Sequence, residues 1–443
     1  TPDPPGGRIE RDRHGTPTGL LIAKPNALIL YSSLAKGPKL GFDDQVNSTR
    51  HFMRELNRLG ITSAIDAGGG FQNYPDDYRV IEHLVERNEL TLRIAYNLFT
   101  QRPKEEYDDF AGWAKIVSPG QGNDLYKMNG AGEMLVFSAA DFEDFLEPRP
   151  DLQPVLEAEL KNVIRLLVAN RWPFRLHATY DESISRFLNV FEEIDRELPF
   201  NGLRWFFDHA ETISEQSMAR VRALGGGIAI QDRMAFQGEY FVNRYGAEAA
   251  QRTPPIYRML ELGIPVGAGT DATRVSSYNP WVSLYWLVSG KTVGGLALCN
   301  EKNRFSRTTA LRLYTEGSAW FSGDNGKKGR ISAGQLADMA MLSADYFTVP
   351  DDEIKGIEAV LTIMDGKIVH GSGEFANLAP PLPPVSPDWA PTGVYGGAYR
   401  QNRAAAAGIA SRSSSCSNPL HQHTHTVVGE NGNWGIGCTC FAF

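Results

Sequence analysis

The stretch that decides the fold runs Phe174-Arg175-Leu176-His177-Ala178, then through a helical segment to Leu203-Arg204-Trp205-Phe206-Phe207-Asp208. Both quoted runs are short and mostly apolar, as parallel strands buried on both faces are. Between them, apolar residues recur with the spacing of one face of an α-helix: Ile184, Phe187, Leu188, Phe191 and Ile194. A strand, a helix and a second strand in this order predict a unit of a parallel sheet with its helix outside.

The same alternation of β-rich runs and helical segments extends over residues 43–325. Seven runs are predicted as buried parallel strands: Thr62–Asp66, Leu92–Asn97, Asp124–Met128, Phe174–Ala178, Leu203–Asp208, Gly227–Gln231 and Ile264–Gly269. The run Gly68-Gly69-Gly70 lacks the G-x-G-x-x-G pattern of a dinucleotide-binding open sheet, so we interpret it as a plain turn. We predict an α/β fold, a (β/α)8 TIM-type barrel with seven strands visible. A complete barrel needs an eighth strand, so the first strand is either not recognised by this pattern or lies upstream of Thr1.

The composition changes along the rest of the chain. We expect residues 1–42 to be a separate N-terminal segment and residues 43–325 to form the barrel. Residues 326–378 contain β-rich runs around Asp365-Gly366, a strong hairpin signal, which predicts a small β-sandwich module packed on the barrel. Residues 379–443 begin with a Pro-rich linker, extended rather than folded, and end in a tail that carries His and Cys.

The overall composition excludes several classes of protein. Of 443 residues, 42% are hydrophobic and 22% are charged, which are ordinary values for a globular chain. The formal net charge is −8 and no Lys/Arg-rich run occurs, so we do not expect nucleic acid as a partner. No stretch approaches the ~20 unbroken apolar residues that span a bilayer, so we do not expect a membrane protein. Four cysteines do not make a disulfide scaffold, and the compartment stays open between cytoplasmic and exported.

Three polar residues stand at the ends of predicted barrel strands, where barrel active sites form. His177, His209 and Asp271 hold the same position relative to their strands. Two imidazoles and a carboxylate on one face are ligands that Zn²⁺ and similar divalent ions prefer, and a hydrogen-bonded residue at the barrel rim is the alternative for either histidine. Asp271 is also placed to take a proton from a metal-activated water, with a helix N-cap as its alternative role.

Lys127, after Leu125-Tyr126, is a fourth candidate. A strand-end lysine acts as a base or, when carbamylated, as a ligand that bridges two metals, whereas most lysines simply reach solvent. Glu133 is the alternative residue for the same role at this strand end, as a carboxylate ligand or base.

The loops after the last two predicted strands carry the residues that we expect to bind substrate, namely Arg233, Arg274 and Tyr278. The two arginines suit a substrate carboxylate, and a plain structural ion pair is the alternative for each. The tail brings six further metal-binding side chains together in the sequence: Cys416, His421, His423, His425, Cys438 and Cys440. Their spacing matches no zinc-finger pattern, so we expect a packed tail with Cys438 and Cys440 reduced, and an accessory metal site formed by these six residues is the alternative.

Six motifs carry a family resemblance: Gly15-Thr16-Pro17-Thr18-Gly19, Leu176-His177-Ala178, Asp208-His209-Ala210-Glu211, Gly269-Thr270-Asp271-Ala272, Gly334-Gln335-Leu336-Ala337-Asp338 and Asp365-Gly366-Lys367-Ile368-Val369. Together they resemble the amidohydrolase superfamily, in the branch often called YtcJ-like or amidohydrolase type 3. The resemblance covers about residues 8–375. It implies a metal-dependent hydrolase, with one or two Zn²⁺ or other divalent ions, that cleaves C–N bonds of small amides or cyclic amides. It also implies His177 and His209 as metal ligands and Asp271 as ligand and proton shuttle.

Within that resemblance, Lys127 would correspond to a lysine that is carbamylated in many members. The text around it departs from the usual pattern, which leaves Glu133 open. Members also carry an H-x-H pair on the first strand, and the early histidines here, His14 and His51, are too far apart to form one.

The chain therefore resembles the C-terminal two-thirds of a member. We expect a companion N-terminal chain, from cleavage or a split gene, or a homo-oligomer to complete the barrel. The alternatives to a hydrolase are a non-catalytic barrel subunit that scaffolds or completes a partner chain, and a metal-assisted isomerase or lyase.

Overall fold

The fold is that of a computed structural model, which describes residues 2–3, 7–23, 36–37, 39–68, 73–100, 102–142, 145, 149–272, 276–388 and 390. The strands are β1 (Gly7–Arg11), β2 (Pro17–Ala23), β3 (Ser63–Asp66), β4 (Arg93–Leu98), β5 (Tyr126–Ala131), β6 (Phe174–Ala178), β7 (Trp205–His209), β8 (Gly227–Ile230), β9 (Val266–Ala268), β10 (Met339–Leu342), β11 (Ala359–Met364) and β12 (Lys367–Gly371).

The α-helices are α1 (Phe42–Arg58), α2 (Arg79–Glu86), α3 (Glu106–Trp113), α4 (Leu156–Ala169), α5 (Asp181–Glu197), α6 (Glu215–Ala223), α7 (Arg233–Tyr245), α8 (Ala247–Ala250), α9 (Ile256–Glu261), α10 (Pro280–Ser289), α11 (Arg307–Arg312) and α12 (Ser318–Phe321). Short turns of 3-10 helix lie at Asp76–Tyr78, Phe137–Ala139, Glu301–Asn303, Asp351–Gly356 and Gly373–Leu378, and a π-helical turn lies at Leu313–Gly317. No helix in the described part of the chain is long and apolar enough to cross a membrane.

The main sheet contains all seven predicted strands, which confirms the α/β barrel prediction. Strands β3 to β9 are parallel and lie side by side in chain order, as successive β–α–β units require. The sheet curls. Among the described residues no pairing joins the two edge strands, β3 and β9, so the curled sheet is an open half-barrel. Because the strands are parallel, their carboxyl ends and the loops that follow them meet at one rim.

An aromatic layer explains why residues 174–208 fold as they do. The ring of Phe191 on α5 contacts Phe174, Trp205 and Phe207, with centroid separations of 5.5, 5.1 and 5.7 Å. All four side chains are almost fully buried. Burying each one contributes about 1.5–3 kcal/mol, and the ring contacts add to that. The layer therefore fixes α5 on the outer face of β6 and β7.

The second sheet contains β10, β11 and β12 in antiparallel order. Asp365 and Gly366 join β11 to β12 with positive φ angles of 54° and 74°, so the predicted hairpin is present. The described residues form one three-stranded layer, and the expected second layer of a sandwich is not seen among them. Helix α1 packs on this layer. The Thr362 hydroxyl on β11 donates to the carbonyl oxygen of Asn57 in α1 at 2.7 Å, which joins the two elements.

The described part of the Pro-rich linker is extended and lies along α1. Asn47 Nδ2 donates to the carbonyl oxygen of Pro384 at 2.7 Å, and Arg54 Nη1 donates to that of Pro380 at 3.1 Å. Proline has no backbone N–H, so its carbonyl group is the backbone atom left to bond. Side-chain donors of α1 therefore hold the linker in place.

A buried arginine joins the small sheet to the barrel. Arg93, at the start of β4, bonds both carboxylate oxygens of Asp338 at 2.6 and 2.9 Å, and it reaches Asp365 at 2.9 Å. The side chain of Asp338 is 6% exposed, whereas that of Asp365 is 44% exposed. Removing one partner of a buried pair costs far more than removing a solvated one.

We expect Asp338→Asn to lower the free energy of unfolding by about 3 kcal/mol, because it leaves the buried Arg93 charge poorly compensated. The matched control Asp365→Asn removes the exposed partner of the same arginine and should cost less than about 1 kcal/mol. Urea unfolding followed by circular dichroism measures both values. Equal losses in the two variants would contradict this account of how the module is attached.

Candidate metal centre

Three side chains meet where β5, β6 and β7 end. The ligand atoms of Glu133, His177 and His209 all lie within 4.8 Å of one another. His177 Nδ1 is 3.8 Å and His209 Nε2 is 3.4 Å from Glu133 Oε2, and the two imidazole rings are 4.3 Å apart. The structure thus brings together the two predicted histidines and the carboxylate that the sequence left as an alternative.

Glu133 comes after β5 in the chain, and it reaches the histidines because its backbone lies beside the neighbouring strand β6. The backbone N–H of His177 donates to the carbonyl oxygen of Glu133 at 3.1 Å. Gly132 has a φ of +101°, and a Cβ there would lie 1.9 Å from the carbonyl oxygen of Arg175. Only glycine allows so close an approach, so Gly132 sets the position of the carboxylate that follows it.

The cluster is buried and strongly coupled by charge. Burial alone would lower the pKa of His177, but the carboxylates of Glu133 and Asp141 outweigh it and raise that pKa to about 9. Burial would raise the pKa of Glu133, yet both imidazoles hold it well below its usual range. Burial would also lower the pKa of His209, as does the charge of His177, but Glu133 and Asp271 raise it above its usual value.

The residues fit a divalent metal ion. Two imidazole nitrogens and a carboxylate oxygen are a donor set for Zn²⁺ and related ions. Both ring nitrogens of His209 are buried without a hydrogen bond to any described residue. A buried polar group with no hydrogen bond is costly, and coordination of one nitrogen would remove part of that cost.

Asp141 lies behind His177 and was not found by the sequence analysis. Its Oδ1 is 3.5 Å from His177 Nε2, on the other side of the ring from Glu133. The fully buried Asp141 carboxylate also accepts the backbone N–H groups of Thr179 and Tyr180 at 3.0–3.1 Å. Burial raises the pKa of Asp141 to about 6. A carboxylate in this position orients a metal-binding histidine. Asp141 follows no strand directly, so the strand-end criterion had no signal for it.

Asp271 follows β9 and has a left-handed φ of 51°. Burial raises the pKa of its carboxyl, and the positive charges of His209 and Arg233 oppose that rise. Asp271 therefore lies within electrostatic reach of the cluster. Among the described residues after Asp271, the next α-helix begins at Pro280 and is capped by Asn279, while residues 273–275 lie outside the described part of the chain.

The structure does not bring Lys127 to the cluster, which corrects that candidate. Lys127 lies at the start of β5, where its Nζ pairs with Asp324. The strand was predicted to end at Met128 but continues to Ala131, whose N–H donates to the carbonyl oxygen of Pro173 at 2.9 Å. Gly132 lies in close contact with the backbone of Arg175, and Glu133 follows the true strand end.

The predicted substrate-binding residues differ in their surroundings. Arg233 is buried at the start of α7, and its charge acts on Asp271. The Tyr278 hydroxyl donates to Glu55 on α1 at 3.1 Å, and its ring packs against Phe52. Arg274 lies outside the described residues, as do the tail candidates Cys416, His421, His423, His425, Cys438 and Cys440.

Asp232 is a second buried carboxylate at the same rim. It lies two residues past the end of β8, close to the end of β9, since the Gly269 N–H donates to the carbonyl oxygen of Ile230. The Asp232 carboxylate is fully buried with the Ser276 side chain as a hydrogen-bonding neighbour, and α7 begins beside it without a side-chain cap. Burial therefore raises the pKa of Asp232 well above its usual range.

Comparisons with known proteins cover most of the chain. The model of the family described as "Amidohydrolase family" matches residues 1–370. The chain is 24% identical to the putative amidohydrolase YtcJ of Bacillus subtilis over 387 residues, which are 84% of this chain and 69% of that protein. It is 23% identical to the N-substituted formamide deformylase of Arthrobacter pascens over 384 residues, 83% of this chain and 68% of that one.

Solved structures share the fold. An uncharacterized metal-dependent hydrolase from Pyrococcus horikoshii has a TM-score of 0.58 at 18% identity, covering 77% of this chain and 68% of that chain. A mutant of atrazine chlorohydrolase from Arthrobacter aurescens, complexed with zinc and atraton, has a TM-score of 0.53 at 16% identity, covering 77% and 75%.

A pair of variants tests which residue belongs to the cluster. We expect Glu133→Gln to weaken Zn²⁺ binding by at least about 100-fold, because it removes a charged donor atom. Lys127→Gln should leave Zn²⁺ affinity unchanged, since Lys127 pairs with Asp324 at the far end of β5. Competition with a chromophoric chelator gives both dissociation constants. Loss of affinity in Lys127→Gln together with retention in Glu133→Gln would reverse the assignment.

The buried Asp232 predicts a pH effect. Its folded-state pKa is raised, so the folded chain binds more protons than the unfolded chain and this carboxyl reduces stability as pH rises above about 4. We expect Asp232→Asn to unfold at higher urea concentration than the wild type at pH 8, with a smaller difference at pH 5. The control Asp324→Asn should lose stability, because the pKa of Asp324 is lowered to about 2. A destabilised Asp232→Asn at pH 8 would refute the assignment.

Proposed function

Because the chain belongs to the amidohydrolase family, we propose that it is a metal-dependent hydrolase that adds water to an amide or cyclic-amide C–N bond of a small molecule. The observation that carries this proposal is the Glu133–His177–His209 cluster at the carboxyl ends of the strands. Barrel enzymes place their active sites at this rim. A divalent ion, for which Zn²⁺ suits the donor set, lowers the pKa of water and polarises a carbonyl group when bound.

The chain supplies the ligands and holds them in place. Nδ1 of His177 and Nε2 of His209 face the Glu133 carboxylate, and these atoms would hold the ion. Asp141 binds the opposite nitrogen of His177, which fixes the direction of that ring. Phe142 packs edge-on against the His177 ring at 5.1 Å and limits its rotation.

Asp271 is the proposed proton carrier. As water attacks the carbonyl carbon, the Asp271 carboxylate takes one of its protons and then donates it to the nitrogen as the C–N bond breaks. The products are a carboxylic acid and an amine, so atoms and protons balance. The charges of His209 and Arg233 favour the ionised form that accepts the proton. Arg233 is the proposed contact for a substrate carboxylate beside that group. Tyr278, held by Glu55, is proposed to line the substrate path.

The first experiment is the metal content of the chain, measured by mass spectrometry after dialysis with Zn²⁺. The wild type should retain metal, and the double variant His177→Ala/His209→Ala should lose it, because two of the three donors are gone. Equal metal in both proteins would place the ion elsewhere in the chain. No retained metal in the wild type would favour the non-catalytic subunit.

A second experiment separates catalysis from metal binding. We expect Asp271→Asn to keep its metal but to lose about 10²–10⁴-fold in kcat, because the amide cannot accept the proton. Released amine is measured on a panel of N-formyl and N-acetyl amines, chosen because one relative is a formamide deformylase. Asp232→Asn, at the neighbouring strand end, is the matched control and should keep kcat. Full activity of Asp271→Asn would contradict the assigned role.

A further inference from the structure

A buried ion pair lies next to the cluster and has no part in the chemistry above. Arg175 Nε and Nη2 donate to the two carboxylate oxygens of Asp208 at 2.7 and 2.6 Å. Both residues are buried, with exposures of 9% and 1%. Parallel bonds of this kind fix the relative orientation of the two groups as well as their distance.

The pair is attached directly to the proposed ligands. Asp208 precedes His209 on β7, and Arg175 is two residues before His177 on β6. The strand register sets His177 opposite Asp208 and Ala178 opposite His209. Any movement of Asp208 relative to β6 therefore moves His209 relative to His177.

The backbone conformation at His209 explains why this strand end needs the Arg175–Asp208 pair to hold it. Side chains alternate between the faces of a strand. Trp205 and Phe207 contact Phe191 on the helix side, so Phe206 and Asp208 face the barrel interior, and the Arg175 guanidinium lies 5.1 Å from the Phe206 ring. In a regular strand His209 would face the helices.

A left-handed turn at the end of β7 changes that direction. His209 has a φ of 81° and Ala210 has a φ of 56°, conformations that non-glycine residues adopt at a cost of about 1–3 kcal/mol each. The turn carries the His209 ring back to within 4.3 Å of the His177 ring. Such a strained turn persists only where the surrounding structure holds it.

Arg175 also places a positive charge beneath the carboxylates of the site. Its guanidinium acts electrostatically on Glu133 and Asp271 as well as on Asp208. Buried carboxylates require such compensation. Arg175 thus interacts with Asp208 and with two carboxylates of the proposed site, those of Glu133 and Asp271.

We propose that Arg175 and Asp208 are positioning residues for the metal centre, which hold the end of β7 where the left-handed turn at His209 completes the ligand set. This inference rests on the metal binding in the proposed function and not on hydrolysis. The competing explanation is that the pair only stabilises the barrel.

The test uses the double variant Arg175→Met/Asp208→Leu, which removes both charges together. Replacing a buried ion pair by apolar residues is often neutral for stability, whereas a single replacement leaves an uncompensated charge. We expect the double variant to fold and to bind Zn²⁺ about 10–100-fold more weakly than the wild type. With Co²⁺ as the probe, its visible absorption spectrum should shift, because the ligand geometry has changed.

A matched control exists on the outer helices. Arg220 on α6 binds Glu192 on α5 through the same two-bond geometry, at 2.7 and 3.0 Å. Arg220→Met/Glu192→Leu should leave the Zn²⁺ dissociation constant and the Co²⁺ spectrum unchanged. Loss of affinity in this control would mean that any lost ion pair disturbs the site, which would overturn the inference.

Wild-type Zn²⁺ affinity and an unchanged Co²⁺ spectrum in Arg175→Met/Asp208→Leu would also overturn it. If that variant does not fold, Arg175→Lys keeps the charge but loses the two-bond geometry, and the same two measurements decide. Metal binding without hydrolysis in the wild type would refute the proposed function and leave the positioning role intact. A wild type that binds no metal would refute both.

Discussion

The site depends on the parallel register between β6 and β7. That register sets Ala178 opposite His209 and thereby fixes the end of one strand against the other. It is maintained on the outer face by the aromatic contacts of Phe191 and on the inner face by the Arg175–Asp208 pair. Apolar packing contributes stability without direction, whereas paired hydrogen bonds supply direction at little net gain. Both are needed where a strained turn must point a ligand inward.

Charge is the second constraint on this rim. The buried carboxylate of Asp141 and the partly buried carboxylates of Glu133 and Asp271 gather around two imidazoles and one guanidinium. The positive groups make this concentration of acids tolerable, because a buried charge must be paired. Metal binding would replace imidazole protons, so affinity for a divalent ion and pH are linked through His177 and His209.

The sequence located the two histidines but not their complete surroundings. Periodicity finds strands and their order, and strand ends in a parallel sheet share a rim, so His177, His209 and Asp271 could be predicted together. Lys127 was wrongly placed because the sequence predicted that this strand ended at Met128. The strand continues to Ala131 and Gly132 permits close backbone contact with β6, so Glu133 and not Lys127 lies at the strand end.

The sequence by itself determined the seven parallel strands, the crossover helices and the hairpin at Asp365-Gly366, because each depends on local periodicity or turn chemistry. Only the tertiary structure decided which acids face the histidines. Glu133 arrives through a close approach of two backbones, and Asp141 reaches His177 from a loop. Distances between residues far apart in the chain depend on register, turns and burial, and no local pattern records these.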